Sequence, residues 1–220
     1  MSNNVDKIVP SKLEKAMYAF LYKYVGDKLP PKVTPNQITL VGAICGLIGI
    51  ICGFLAGVSK FFLIGTVLGI MGHLVCDDLD GYIARKRNMS SLAGGYFDLL
   101  TDILHITYLI IALSYAGVVQ FKIAIWMVPV YALIIFTSMN SILYLKKFPF
   151  PRLGPIETHL FFQAICILSM IFGTGPIITI KGFAFNIADI IFIVGGIPMY
   201  FEMIRLQIEL FKDLQKEDKK

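Results

Sequence analysis

Five aspartates fall within one 26-residue stretch of this 220-residue chain: Asp77, Asp78, Asp80, Asp98 and Asp102. They lie in strongly apolar segments. There an ionisable side chain costs at least about 2.5–3.5 kcal/mol to insert and is functional by default. Grouped carboxylates also repel one another, and a bound divalent cation is the simplest neutraliser. Hard oxygen ligands select Mg²⁺, Mn²⁺ or Ca²⁺ over zinc. Asp77, Asp80, Gly81 and Ala84 recur at i, i+3, i+4 and i+7, and Gly94, Asp98 and Asp102 at i, i+4 and i+8. Each set therefore lines one helix face. The short polar stretch 86–91 between them makes the two helices antiparallel neighbours with facing carboxylates. Four carboxylates would suit two ions about 3.5–4 Å apart and a phosphoryl displacement. Gly81 and Gly94 would let a ligand approach the backbone closely. Asp78 points about 100° away from Asp77; a bond to Tyr82, a reach to Arg85 and a place in the site all stay open for it.

The elements that must hold these side chains are membrane helices. Hydrophobic residues make up 56% of the chain and charged ones 16%, against about 45–50% and 25% in soluble domains. Six apolar spans of suitable length cover residues 36–57, 61–87 (apolar to 76, then continuing as helix), 92–116, 123–145, 156–172 and 187–210. Pro30-Pro31, Pro149 with Pro151, and Gly173 with Gly175-Pro176 punctuate the joins. The expected fold is all-α and integral to the membrane, with an amphipathic surface helix over residues 11–25 carrying Leu13, Met17, Phe20, Leu21 and Tyr24. That helix can lie in the headgroup layer, pack on the bundle, or do both. The chain divides into an amino-terminal segment (1–35), a six-helix catalytic domain (36–212) and a charged tail (213–220). Seventeen of the 20 Lys and Arg residues fall on the side that holds both termini, so the positive-inside rule places the termini, and the active site near them, at the cytoplasmic face. The net charge of +5 follows from that topology and from anionic lipid, so nucleic acid is not needed as a partner.

Cys45, Cys52, Cys76 and Cys166 form no C-x-x-C pair and read as small apolar residues. The three histidines, His73, His105 and His159, are scattered, so no zinc-type cluster is visible. His73 and His105 lie near Asp77 and Asp102 in sequence and are expected to orient a carboxylate, to contact an acceptor, or to be satisfied by a neighbouring backbone group or hydroxyl. Glu157 fits a helix cap or an acceptor pocket, and Arg152 an anion contact or a snorkelling role. Ser90 and Ser91 are candidate caps for the third span.

The run from Asp77 to Asp102, DDLDGYIARKRNMSSLAGGYFDLLTD, resembles the signature of the CDP-alcohol phosphotransferase family, D-x-x-D-G-x-x-A-R-x8-G-x3-D-x3-D. All eight fixed positions are met. Pro35-Asn36-Gln37-Ile38-Thr39 resembles the P-N-x-x-T that opens that family's first span. The resemblance implies metal binding by Asp77, Asp80, Asp98 and Asp102, with Asp102 also the catalytic general base. It implies Mg²⁺ or Mn²⁺ as cofactor, as two ions, with Ca²⁺ a non-productive ligand. Asn36, Thr39, Asp80, Gly81, Ala84, Arg85 and Gly94 would bind the CDP donor, and His105, Arg152 and Glu157 are candidates for the acceptor pocket. The implied reaction passes a substituted phosphate from a CDP-alcohol to an acceptor alcohol and releases CMP, in phospholipid synthesis. A homodimer is implied as well. CDP-diacylglycerol is the favoured donor; CDP-choline or CDP-ethanolamine with a lipid hydroxyl is the alternative. A divalent-cation transporter is the reading from a different class, since membrane carboxylates also line ion paths.

Overall fold

The computed structural model describes residues 12–146, Arg152 and residues 154–219. The fold is all-α and integral to the membrane, with six helical spans long and apolar enough to cross a bilayer. The chain runs through α1 (Lys12–Tyr24), a 3₁₀ turn (Gly26–Lys28), α2 (Pro35–Leu55), α3 (Phe62–Lys86) and α4 (Leu92–Tyr115). It continues through a short α5 (Phe121–Ala124), α6 (Val128–Asn140) with a π-helical turn (Ser141–Leu145), and α7 (Pro155–Phe172). A hairpin of β1 (Ile178–Ile180) and β2 (Phe183–Phe185) leads into α8 (Ile187–Glu217).

Helix starts follow from local chemistry. Thr34 and Gln37 exchange side-chain and backbone bonds around Pro35 (2.9 and 3.3 Å) and start α2 as a capping box. Ser91 accepts from the Gly94 N–H (3.0 Å) and caps α4. Asn186 and Asp189 do the same reciprocally for α8.

Two helices depart from the sequence reading. The fourth span is interrupted between α5 and α6 because Pro129, lacking an N–H, belongs at a helix start. Helix α8 runs on to Glu217, past the point where the sequence reading opens a charged tail. Pairs spaced along its surface, Arg205 with Glu202 and Glu209, and Lys216 with Asp213, keep that polar stretch helical. The join read at Pro149 and Pro151 lies outside the described residues. The hairpin, turned by Lys181 and Gly182 at positive φ, is too short to register as strands in the sequence.

Packing follows membrane rules. Gly42, Gly46, Gly49 and Gly53 form the buried face of α2, while Leu40, Val41, Ile44, Leu47, Ile48 and Ile51 face outwards. Small residues inside and large apolar residues outside suit a helix whose outer solvent is lipid. The approach is closest where Gly49 meets Gly69 of α3: a Cβ on Gly69 would lie 2.4 Å from the Gly49 Cα. On the other side, α4, α6, α7 and α8 close over a core including Leu109, Val130, Ile165, Phe192 and Leu206.

Helix α1 packs on the bundle with one face and leaves the other exposed. Glu14, Tyr18 and Leu21 are buried against the bundle, whereas Leu13, Phe20 and Tyr24 are exposed. Tyr18 stacks on Tyr22, and Tyr22 on Tyr82 of α3 with ring centroids 4.0 Å apart. Glu14 packs beside Gly154 at the start of α7, where a Cβ would come within 2.0 Å of its carboxylate.

Candidate active site

The start of α2, the end of α3 and the start of α4 meet at one end of the bundle around a cavity of about 200 Å³. Its lining includes Asn36, Thr39, Asp80, Gly81, Ala84, Arg85 and Gly94, the seven residues expected to contact a donor, together with Asp98. The starts of α2 and α4 both border this space, and the positive end of a helix dipole favours an anionic ligand. Gly94 keeps it open: a Cβ there would lie 3.0 Å from Ser91 Oγ and 3.1 Å from Asn36 Oδ1.

Asp98 of this lining converges with Asp77 and Asp102, each offering a carboxylate oxygen within 4.8 Å of the others. Asp77 and Asp98 are half-buried and Asp102 is buried. Three like charges at that separation in a low-dielectric interior repel strongly, so the oxygen-only donor set fits a hard divalent ion. Asp80 takes a different course. The Thr39 hydroxyl has two acceptors in reach, the Pro35 carbonyl (3.2 Å) and Asp80 Oδ2 (2.5 Å). Its single proton favours the carboxylate. Asp80 thus lines the cavity with its carboxylate tied to α2, beside the group of Asp77, Asp98 and Asp102.

His73, one turn before Asp77, joins this site. Its Nε2 lies 3.2 Å from Asp102 Oδ1 and its Nδ1 3.2 Å from the Gly42 carbonyl. A carbonyl only accepts, so Nδ1 carries a proton, and the ring is held between α2 and Asp102. The sequence reading left His73 between orienting a carboxylate and meeting the backbone, and it does both.

Asp78 is buried and sits by α1. Burial, and after it the negative charge of Asp78, raise the Tyr18 phenol well above its ordinary value. Tyr82, one of the partners left open for Asp78, donates its hydroxyl to Asp27. Burial also pushes the Tyr22 phenol up to about 12, and the Arg85 guanidinium beside it opposes that rise. Helix α1 therefore backs the arginine that lines the cavity.

The three residues considered for an acceptor pocket separate. Glu157 accepts from the Gly154 N–H (3.1 Å) and caps α7, because a carboxylate at that position meets the helix's free donors. Arg152 is exposed, and its backbone N–H donates to Glu202 (2.6 Å). His105 is buried among the other two histidines. None of the three lines the cavity described above.

Two features escaped the sequence reading. Arg87, counted there among the charges that set topology, donates to the carbonyls of Leu29 (2.9 Å), Pro31 (3.3 Å) and Val33 (2.5 Å) and pins the loop that delivers Asn36. The histidines, read as scattered, meet. His73, His105 and His159 come from α3, α4 and α7 and offer ligand atoms within 4.8 Å of one another. No short sequence spacing could signal this, since each sits on a different helix.

A family model described as CDP-alcohol phosphatidyltransferase matches residues 32–197. No curated protein matches the chain.

Proposed function

Since the chain belongs to the CDP-alcohol phosphatidyltransferase family, whose members transfer phosphatidyl groups from a CDP-alcohol in phospholipid synthesis, we propose that its donor is CDP-diacylglycerol and its acceptor a soluble alcohol. The observation that carries this reading is the convergence of Asp77 and Asp102 on Asp98, which lines a cavity together with the seven donor-contact candidates. The acceptor oxygen bonds to the phosphorus bearing the diacylglycerol. The bond from that phosphorus to the bridging oxygen breaks, and CMP leaves with the electron pair.

Asp77, Asp98 and Asp102, with Asp80 as fourth carboxylate, are the residues that would hold Mg²⁺ or Mn²⁺, and such ions supply positive charge opposite the diphosphate. Asn36, Thr39, Gly81, Ala84 and Gly94 shape the nucleotide end, and Arg85 faces the phosphates as a cation. Asp102 takes the acceptor's proton as the new bond forms. His73 positions Asp102 by its 3.2 Å contact. The excess of Lys and Arg at the end bearing α1, the α3–α4 turn and the last turns of α8 supports a cytoplasmic setting for the cavity and both termini.

The test is CMP release by purified protein with Mg²⁺, offering CDP-diacylglycerol, CDP-choline and CDP-ethanolamine against a panel of soluble and lipid alcohols. Turnover of CDP-diacylglycerol with a soluble alcohol is expected. Release only from CDP-choline or CDP-ethanolamine with a lipid hydroxyl would reassign the donor, and no release from any pair would overturn the reading.

A further inference from the structure

We propose that His73, His105 and His159 form a second metal site, for a borderline transition-metal dication such as Zn²⁺, separate in its ligands from the carboxylate group. The three rings come from three helices and are 3%, 4% and 1% exposed. Their centroids lie 4.1, 5.5 and 5.8 Å apart.

What points to a ligand is the hydrogen bonding. Among the described residues neither nitrogen of His105 has a hydrogen-bond partner, and Nε2 of His159 has none. Buried imidazole nitrogens left this way cost free energy unless something fills the space between them. His159 donates Nδ1–H to the Pro155 carbonyl (2.7 Å), just as His73 does to Gly42. That is the usual outer-shell arrangement of a metal-binding histidine: the backbone fixes the tautomer and turns Nε2 inward as the ligand. Gly46 makes the room, since a Cβ there would lie 2.6 Å from His105 Nδ1.

Three neutral imidazoles suit zinc and its neighbours and leave a fourth position open. The carboxylates prefer hard Mg²⁺ or Mn²⁺. A dication among neutral ligands in a membrane interior needs a counter-charge, and Asp102, already touching His73 Nε2, supplies it. The two groups are therefore joined at one point: an ion taking His73 Nε2 displaces the proton held between that nitrogen and Asp102, releasing it to solvent and leaving Asp102 a carboxylate.

Co²⁺ is the probe, added to the intact purified protein in excess Mg²⁺. The expected result is one equivalent bound, with the intense visible bands of a four-coordinate ion. At least a tenfold loss of affinity is expected in both His105→Ala and His159→Ala, and none in Asp98→Asn. X-ray absorption at the zinc edge of the unaltered protein needs no variant to fold. It should show imidazole scattering with Zn–N near about 2.0–2.1 Å. Absence of binding, binding lost only in Asp98→Asn, or an oxygen-only zinc shell would each overturn the proposal.

Discussion

The carboxylate group and the histidine group lie side by side, yet they are built oppositely. Asp77 and Asp98 are half-buried, and Asp98 lines a cavity at the end of the bundle. The histidines are enclosed, each less than 5% exposed. The first group is anionic and comes from two helices joined by a short turn. The second is assembled from three helices and brings no formal negative charge. Access and charge suit the carboxylates to a reaction on an anionic substrate. Enclosure and nitrogen donors suit the histidines to holding something that stays.

That contrast is broken or sharpened by substitution. Asp102→Asn should have the largest effect, a fall in kcat of about 10²–10⁴-fold, the usual worth of a general base. Donor binding, measured by calorimetry, should persist; full turnover would remove Asp102 from the chemistry. Asp77→Asn and Asp98→Asn should raise the Mg²⁺ needed for half-maximal CMP release by at least the roughly 10–100-fold that loss of an outer-shell partner costs. An unchanged midpoint would show that these carboxylates hold no ion.

His73→Ala should cost kcat about 10–100-fold with the donor KM unmoved, because the ring acts through Asp102. An equal effect on KM would mean that it shapes the donor cavity instead. Gly69→Ala tests packing away from both groups. Its added methyl meets Gly49 backbone, so thermal stability should drop by about 1–3 kcal/mol while the folded fraction stays active.

The smallest effect concerns the exposed tie beneath α1. The Lys86 hydrogen bond, then that of Tyr82, hold the Asp27 carboxyl below its ordinary value. The stabilisation is therefore present above the unfolded value of about 3.9 and is lost as pH falls through the lower folded one. Melting curves of Asp27→Asn should be less sensitive to acid than those of the unaltered chain in that range.

The carboxylates were legible because their order is written locally. A repeat of three and four on two helices with a six-residue join leaves little freedom in where Asp77, Asp98 and Asp102 can go. The glycines at 81 and 94 were readable for the same reason. Asp80's turn towards Thr39 was not, because both residues were assigned to the donor and nothing in the spacing chose between a metal and a hydroxyl. His105 and His159 belong to helices whose rotation is set by packing against α2 and α8, which periodicity does not record. The extent of α8 was misjudged because its last turns are polar, and polarity reads as a tail until its charges pair along the helix.

The bare contact of Gly49 with Gly69 has a mechanical consequence. Backbone against backbone leaves no rotamers to adjust, so α2 and α3 can neither slide nor tilt past each other without opening a gap. Both contribute walls to the cavity, and those walls stay fixed in relation to each other. Any movement that opens the cavity falls to the partners that meet this seam from outside, α4, α7 and the amino-terminal helix.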